Sequence, residues 1–330
     1  MTLTAPFTGR RADIGIAKEG TRGTTATSAE YWLPYAAYSF NEKVVKARDD
    51  TGLGTLETPR SSDLIKRWNE GELEFNLRDR SLGLILLALF GTEAFSVDTP
   101  ATGVGQHTFT IAQTNQHQAL TVYKKNPVET LAAANAMIKS FSLNVVLDQY
   151  VRATVGLISK VFGNDTETVA YVAENKFRPQ DVSIKIADNA SSLAAANALT
   201  TVRSLTLNVE KNVEDYQGLG SVDPVDFVNK DFQVTGSFEL AFENDTYKDY
   251  TLLNQLKALS VTLTNAGAVV GTATNPNVQF ILDEVDFEDF DIDEANENVA
   301  ILTANFVGHY SQSNARMFRA ILQNAVNAAY

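Results

Sequence analysis

Hydrophobic and polar side chains alternate along several short segments of the chain, a period of two that is typical of β-strands with one buried face. In residues 140–147, phenylalanine, leucine and valine occupy the odd positions, while serine and asparagine occupy most of the even ones. Residues 204–210 and 232–240 repeat this alternation with threonine, serine and glutamate on the polar side. Strands that are half buried and half solvated predict a mainly β fold with antiparallel sheets.

Two leucine-rich segments with a helical period interrupt the strands. Residues 79–90 begin at Asp79, a residue type that caps helices, and end before Gly91, a common helix stop. Residues 249–259 carry leucines at helical spacing, which we interpret as a buried stripe. We expect each helix to flank a sheet.

The same order of features occurs twice, in residues 38–90 and 205–260: a strand, a polar loop containing Gly-Leu-Gly, an alternating strand and a leucine-rich helix. Such recurrence predicts an internal duplication, with one unit in each half. The strand pairs that follow, 140–160 and 283–307, are similar more weakly. Chance similarity explains that part equally well.

These patterns predict four regions of the chain. Residues 1–29 are rich in threonine, glycine and arginine and are expected to form an arm that a neighbour orders. The first unit spans 30–175 and the second 176–312, with a low-complexity connector near 190–201. A tail, 313–330, has hydrophobic residues at roughly helical spacing and is expected to form a short docking helix.

Two polar segments, 43–69 and 211–230, separate strands by far more residues than an ordinary hairpin needs. Loops of this length in compact units are often contact surfaces. The candidate residues for contacts with a partner lie in these two segments: Gly52, Gly54, Arg60, Glu214, Tyr216, Gly218, Gly220 and Asp223.

Composition narrows the function. The chain has 330 residues, 44% of them hydrophobic, and no cysteine, which excludes disulfides and cysteine chemistry. The first 20 residues lack the apolar run of a signal peptide, and no apolar segment reaches membrane-spanning length, so we expect synthesis in the cytoplasm and no membrane partner. The net charge of −13, with nine carboxylates in residues 283–297, argues against a protein that grips nucleic acid.

Motifs for catalysis or cofactor binding are incomplete. Gly103 and Gly105 begin a dinucleotide-type loop, but Thr108 stands where its third glycine belongs, and the chain has no phosphate-binding Gly-Lys-Ser/Thr sequence. The three histidines are scattered along the chain and match no zinc-protease spacing. We therefore expect no enzymatic activity and no cofactor.

The acidic segment also fails as a metal site. Asp289, Asp291 and Asp293 match the first three ligand positions of an EF-hand loop. Glu294 replaces the required glycine, however, and Ala300 replaces the bidentate glutamate. A solvated acidic strand is the simpler interpretation, and no metal is predicted.

Several stretches together resemble the tail tube proteins of long-tailed, non-contractile bacteriophages. They are Val202–Val209, Glu214-Asp215-Tyr216, Gly218-Leu219-Gly220-Ser221, Asp231–Phe238, and the pairing of Met137–Val145 with Val151–Lys160. The resemblance covers most of residues 30–312 and rests on strand pattern rather than on catalytic signatures.

The resemblance implies a virion structural protein that assembles with itself into stacked rings and lines a channel for DNA during ejection. In that family, each unit is a β-sandwich or barrel flanked by a helix, and sheets of neighbouring units join into a ring-shaped β-barrel. Long loops bridge subunits and rings, which would be the role of the candidate contact residues in 43–69 and 211–230. Tape-measure, tail terminator and tail-tip proteins are partners. The location would be the virion tail. With two units per chain, three chains would close a pseudo-sixfold ring stacked helically, and a ring of six chains is the alternative.

On this interpretation, small polar side chains are candidates for the channel wall: Ser140, Ser142, Asn144, Ser204, Thr206, Asn208, Thr235, Ser237 and Glu239. Without lysine or arginine, they would offer passing DNA few attractive contacts. The competing interpretation is that these faces point outward to bulk water.

Two other functions fit the sequence less well. A soluble β-sandwich that binds a carbohydrate or another ligand would display clustered aromatic side chains, and residues 31–38 do contain three tyrosines and a tryptophan. A buried strand explains that cluster equally well. A hydrolase using paired carboxylates would need one acid set apart from the others, and the sequence isolates none.

Overall fold

The computed structural model describes residues 6–57, 61–99, 103–295 and 299–330. Its β-strands are β1 (Asp13–Lys18), β2 (Tyr31–Leu33), β3 (Tyr35–Tyr38), β4 (Asn41–Arg48), β5 (Ser62–Asn76), β6 (Gly91–Thr99), β7 (Val104–Ile111), β8 (Leu120–Lys125), β9 (Thr130–Val146), β10 (Arg152–Ser159), β11 (Gly163–Asn164), β12 (Val182–Ala187), β13 (Val202–Glu210), β14 (Glu214–Tyr216), β15 (Asp226–Val228), β16 (Gln233–Ala241), β17 (Lys257–Thr264), β18 (Asn277–Asp293), β19 (Ile301–Gly308) and β20 (Phe318–Asn324). The α-helices are α1 (Ser81–Phe90) and α2 (Thr246–Leu252).

A long antiparallel sheet runs through both halves of the chain in the order β4–β5–β10–β9–β13–β16–β19–β18, and β3 continues the β4 edge along β5. We call this the main sheet. The β9–β13 pair joins the two halves, with Leu143 opposite Leu207 and Ser142 opposite Asn208. The fold is therefore mainly β with flanking helices, as the alternation predicted.

The two longest strands, β9 and β18, each serve two sets of neighbours. The first part of β9 pairs with β8 and β11, and β8 in turn pairs with β1, which pairs with β2. The first part of β18 lies between β17 and β20, with β12 beyond β17 and β7 and β6 beyond β20. Both long strands thus link the main sheet to outer strands.

The core lies against one face of the main sheet. Alternate residues of its strands, among them Phe75, Phe141, Leu207, Phe238 and Phe306, are buried in one hydrophobic cluster with side chains of the outer strands. Every residue of α1 is buried, which explains why this helix is apolar on all sides. It ends at Gly91, whose φ of 89° is the left-handed conformation common at helix ends.

The two halves share their strand order and their irregularities. In the first half β5 pairs with β10 and β10 with β9; in the second, β16 pairs with β19 and β19 with β18. The β9–β10 pair and the β18–β19 pair each contain one bulge, near Lys139 in β9 and near Glu288 in β18. A glycine also recurs: Gly71 lies opposite Leu157, and Gly236 lies opposite Phe306.

One helix prediction was wrong in its bounds, and another, that of the tail helix, was wrong. The second helix spans Thr246–Leu252 instead of 249–259, because residues 257–264 form β17, in which Leu259, Val261 and Leu263 are buried. The tail is a strand, β20, since alternate residues from Phe318 to Asn324 are buried between β18 and β7. At α1, the N-cap position is Arg80.

The terminal and loop predictions also change. The predicted arm contains β1, whose central residues are buried and which pairs with β8 and β2, so residues 13–18 are part of the fold. The segment 43–69 is largely a β4–β5 hairpin rather than a loop. The segment 211–230 carries the short β14–β15 hairpin. The long β4–β5 hairpin and the short β14–β15 hairpin thus occupy the two segments that were predicted to be loops.

Candidate functional site

The structure brings all nine predicted channel-wall residues together on one surface. They occupy the three adjacent strands β9, β13 and β16, on the face of the main sheet opposite the core. We call this surface the polar face. Its cross-strand pairs are Ser140–Glu210, Ser142–Asn208, Asn144–Thr206, Thr206–Ser237, Asn208–Thr235 and Ser204–Glu239. The alternation therefore predicted a continuous surface.

Two short hydrogen bonds connect side chains of neighbouring strands on this surface. The Ser142 hydroxyl lies 2.7 Å from Asn208 Oδ1, across the joint between the two halves. The Ser204 hydroxyl donates to Glu239 Oε2 at 2.7 Å. The hydroxyl groups of Ser142 and Ser204 are therefore already engaged within the chain.

Carboxylates outweigh free cations beside the polar face. Arg152 on β10 donates to Glu74 on β5 at 2.5 Å, and Lys139 forms an ion pair with Glu70. Burial, and then the nearby charge of Glu72, raises the pKa of Glu210 despite the opposing charge of Lys139. The two neighbouring cations are thus neutralised within the chain, while Glu72 and Glu210 add negative charge.

The acidic segment extends this surface. Asp289, Asp291 and Asp293 are exposed on the last part of β18, and Asp289 and Asp291 pair with Asn305 and Thr303 of β19. Asn305 lies opposite Ser237, and Thr303 lies opposite Glu239, so these strand positions continue the rows of the polar face. A phosphate backbone would meet net repulsion here.

The segment 211–230, which we call the flap, folds back on the first half of the same chain. Its Asp223 receives two hydrogen bonds from Arg67, at 2.6 and 3.1 Å, and Asp215 pairs with Lys66. Phe227 is fully buried in a small cluster with Met137, Ile158 and Trp68 at one end of the main sheet.

The other candidate contact residues lie at exposed places. Glu214 pairs with Lys230 at 2.8 Å, and Tyr216 is exposed. Gly218 and Gly220 form the tip of the flap, and Gly52 and Gly54 lie near the tip of the β4–β5 hairpin. Arg60 lies outside the described residues.

The β5 side of the β4–β5 hairpin contacts the flap through Lys66 and Arg67, whereas its β4 side is exposed. All eight residues of β4 are exposed, among them Val44 and Val45. Leu53 and Leu56 near the tip are exposed as well. Exposed apolar side chains on a projecting hairpin are typical of an interaction surface.

Sequence reasoning missed a buried lysine. Lys211, directly after β13, is fully buried and donates from Nζ to the carbonyl oxygen of Ala88 in the last turn of α1, at 3.0 Å. Burial, and then the charge of Arg22, lowers its pKa to about 7. Burial and the charge of Lys211 lower the pKa of nearby His117 to about 4. The sequence does carry a signal for this orientation, because Lys211 continues the buried odd-numbered row of Leu205, Leu207 and Val209.

Two classes of site can be addressed directly. Among the described residues, no group of histidine, aspartate and glutamate side chains has a metal-binding arrangement. Neither of the helices found in the described part of the chain is long and apolar enough to cross a bilayer. The polar face and the two hairpins are therefore the features that need a functional explanation.

A search of curated proteins found no match to this chain. The family model described as "Phage tail tube protein" matches residues 9–304, which is most of the chain and includes the polar face, the flap and the β4–β5 hairpin. This match agrees with the resemblance carried by the strand patterns. The chain belongs to the phage tail tube protein family and is a structural component of the virion tail.

Proposed function

We propose that the protein assembles into stacked rings of three chains, each chain supplying two equivalent units, and that the polar face lines the channel through which DNA passes. The observation that carries this proposal is the β9–β13 pair. This pair connects two similar units within one chain. The two outer edges of the main sheet resemble the two strands of the pair.

Strand pairing supports the equivalence of the units. Starting from the recurring glycines, Gly71 and Gly236, the pairings align β5 with β16, β10 with β19 and β9 with β18. The same alignment relates Asn41 to Asn208, since Asn41 lies opposite Glu70 and Asn208 lies opposite Thr235. Bulges fall at matching places in two corresponding sets of strand pairs, β9–β10 with β18–β19 and β3–β5 with β13–β16, which supports duplication over chance.

Each edge of the main sheet then has a defined partner. The last part of β18 corresponds to β9 at the joint, and β3–β4 corresponds to β13. In the described residues, the last part of β18 pairs with β19 alone and β4 pairs with β5 alone. Open edges of this kind are liabilities unless another strand covers them. A second copy supplies the matching strand, so chains join head to tail.

The internal joint also predicts the register between chains. Ser140, Ser142 and Asn144 correspond to Asp289, Asp291 and Asp293, and their partners Glu210, Asn208 and Thr206 correspond to Lys43, Asn41 and Ser39. The expected pairs are therefore Lys43–Asp289, Asn41–Asp291 and Ser39–Asp293. Each aspartate of one edge would face a neutral or cationic side chain, which is favourable for opposed side chains in a sheet.

Closure of the sheet gives the polar face its role. A sheet repeated around a ring must turn one face inward, and the core and helices cover the opposite face. The inward surface would be hydroxyl-rich and acidic, so DNA would slide past it without binding. The flap and the β4–β5 hairpin are the proposed contacts between subunits and between rings. The proposed further partners of the tube are the tape-measure, tail terminator and tail-tip proteins.

Engineered disulfides test the joint and the ring size together. The chain has no cysteine, so Asn41→Cys with Asp291→Cys introduces the only thiols. Directly opposed residues in antiparallel strands lie about 4.5–5.5 Å apart at Cα, within the range that a disulfide bridges. Under oxidation, we expect covalent dimers and trimers on a non-reducing gel, with the ladder stopping at three chains.

A matched control moves one cysteine out of register, pairing Asn41→Cys with Asp289→Cys. It should link poorly if the predicted register holds. A ladder ending at six chains would contradict the three-chain ring, and absence of any link at concentrations where tubes form would contradict the edge pairing.

A further inference from the structure

The internal joint contains a contact away from the paired strands. Lys211 follows β13 in the second unit, and its ammonium group caps the Ala88 carbonyl oxygen of α1 in the first unit at 3.0 Å. Lys211 is fully buried, so the end of α1 is sealed by the neighbouring unit. The rings of Phe232 and Phe318, which also belong to the second half, contact the ring of Phe90 in that last turn. Their centroids lie 5.9 and 5.0 Å from the Phe90 centroid, in tilted arrangements.

The alignment of the units predicts which residues would form the equivalent contact at the open edges of the main sheet. Lys211 corresponds to Val44, three residues after the matched Asn208 and Asn41. Ala88 corresponds to Leu253, because α1 and α2 begin at the same spacing after β5 and β16. The internal pair Lys211–Ala88 thus maps to Val44 of one chain and Leu253 of the next.

Both members of the mapped pair are exposed apolar residues in the single chain. Val44 is 53% exposed and Leu253 is 63% exposed. Leu252 and Leu256 beside Leu253 are 60% and 45% exposed, so the end of α2 carries a small apolar surface, which we call the α2 patch. None of the residues of α2 is buried, whereas all residues of α1 are.

We propose that the α2 patch of one chain is covered by the β4–β5 hairpin of the next chain in the ring, with Val44 packed on Leu253. This inference rests on the proposed ring, and its partner is a second copy of this chain. At the internal joint a lysine caps the helix end, whereas between chains two apolar side chains meet and leave water together. The exposed valine and leucines are thereby explained as two halves of one contact.

Single-cysteine variants test the contact directly. Val44→Cys protein is mixed with Leu253→Cys protein under assembly conditions and treated with a short bismaleimide cross-linker. We expect a covalent dimer that needs both variants in the mixture. Val128→Cys is the matched control, because Val128 is 79% exposed at a turn remote from the joint, and it should not link to Leu253→Cys.

A charge pair provides a second test that does not depend on cross-linker geometry. Leu253→Asp should raise the protein concentration needed for ring formation by about tenfold, which corresponds to about 1.4 kcal/mol. Adding Val44→Lys should restore most of that loss, while Val128→Lys should not. Rescue by the matched lysine alone supports the contact, and equal behaviour of the two lysines overturns it.

The outcomes separate this inference from the ring itself. If Asn41→Cys and Asp291→Cys link between chains but Val44→Cys and Leu253→Cys do not, the ring stands and the helix contact is wrong. If neither pair links under conditions that produce tubes, the head-to-tail ring is wrong as well.

Discussion

Gly71 and Gly236 hold corresponding places in the main sheet, and at both the backbone of the next strand comes too close for a side chain. A Cβ atom at Gly71 would lie 2.4 Å from the carbonyl oxygen of Ser39, and one at Gly236 would lie 2.5 Å from that of Thr206. Contacts this short force the neighbouring strand to move. Ser39 and Thr206 are themselves matched residues, so both units use the same close approach.

Gly71→Ala and Gly236→Ala should therefore each lower the free energy of unfolding by about 1–3 kcal/mol through overpacking. Gly20→Ala is the control, because no heavy atom lies within 4 Å of its added Cβ, and it should change stability by less than about 0.5 kcal/mol. Urea denaturation followed by tryptophan fluorescence measures all three variants. Similar stability of all three would remove the steric argument.

Lys211 should make stability depend on pH in alkaline solution. Its pKa is lowered in the folded protein to about 7, from an ordinary value of 10.5, so the unfolded chain binds the proton more tightly between those values. The free energy of unfolding should therefore rise with pH across this window, by at most about 1.4 kcal/mol per pH unit.

The Lys211→Met variant isolates this effect, because every other titrating group is retained. Urea denaturation of both proteins between pH 7.5 and about 9.5 should give a stability difference, native minus variant, that grows with pH. Parallel pH profiles would mean that Lys211 keeps its proton in the folded state.

At the scale of elements, alternation was informative wherever one strand face is wet and the other is buried. It predicted the nine residues of the polar face because their strands follow a strict period of two. Helical spacing was misleading inside the second half, where Leu252 and Leu259 are seven residues apart but fall in α2 and β17 respectively. Tertiary burial decides such short apolar runs, and the sequence carries no local signal for it.

The two long polar segments show the same limit. Their length indicated contact surfaces, yet the sequence could not say that the flap packs on β5 of the β4–β5 hairpin while β4 stays exposed. That difference depends on ion pairs such as Arg67–Asp223 and on burial of Phe227, which join residues far apart in the chain.

Phe227 should anchor the flap. Phe227→Ala removes a fully buried ring from a small cluster, and we expect it to lower the free energy of unfolding by about 3 kcal/mol or to release the flap locally. Leu219→Ala at the exposed flap tip is the matched control and should have little effect. Urea denaturation and hydrogen exchange of residues 211–230 distinguish global from local loss, and unchanged protection in Phe227→Ala would contradict the anchor.

At the scale of the whole molecule, the proposed duplication means that contacts within one chain predict the contacts between chains. The β9–β13 joint displays the strand register, the closing contact at a helix end and the hydroxyl-rich face that a joint between chains would reproduce. The sequence suggested two units from the recurring Gly-Leu-Gly loops. It could not provide the register, because matching residues emerge only from the pairing of distant strands.

If the polar face lines the channel as proposed, lysines placed on it should increase the retention of DNA by assembled tubes. Tubes carrying Ser142→Lys, Thr206→Lys and Thr235→Lys should retain short duplex DNA at low salt and release it as salt rises, because each lysine adds a phosphate contact. Native tubes, and tubes with Val128→Lys, should retain little. DNA retention by sedimentation measures the difference, and equal retention by all tubes would place the polar face outside the channel.

The most direct test of the account is electron microscopy of assembled tubes at a resolution that separates β-strands, combined with the mass of the smallest closed ring. We predict three chains per ring, with the last part of β18 of each chain paired to β3–β4 of the next and the polar face lining the lumen. Six chains per ring, or a lumen lined by another surface, would contradict the account.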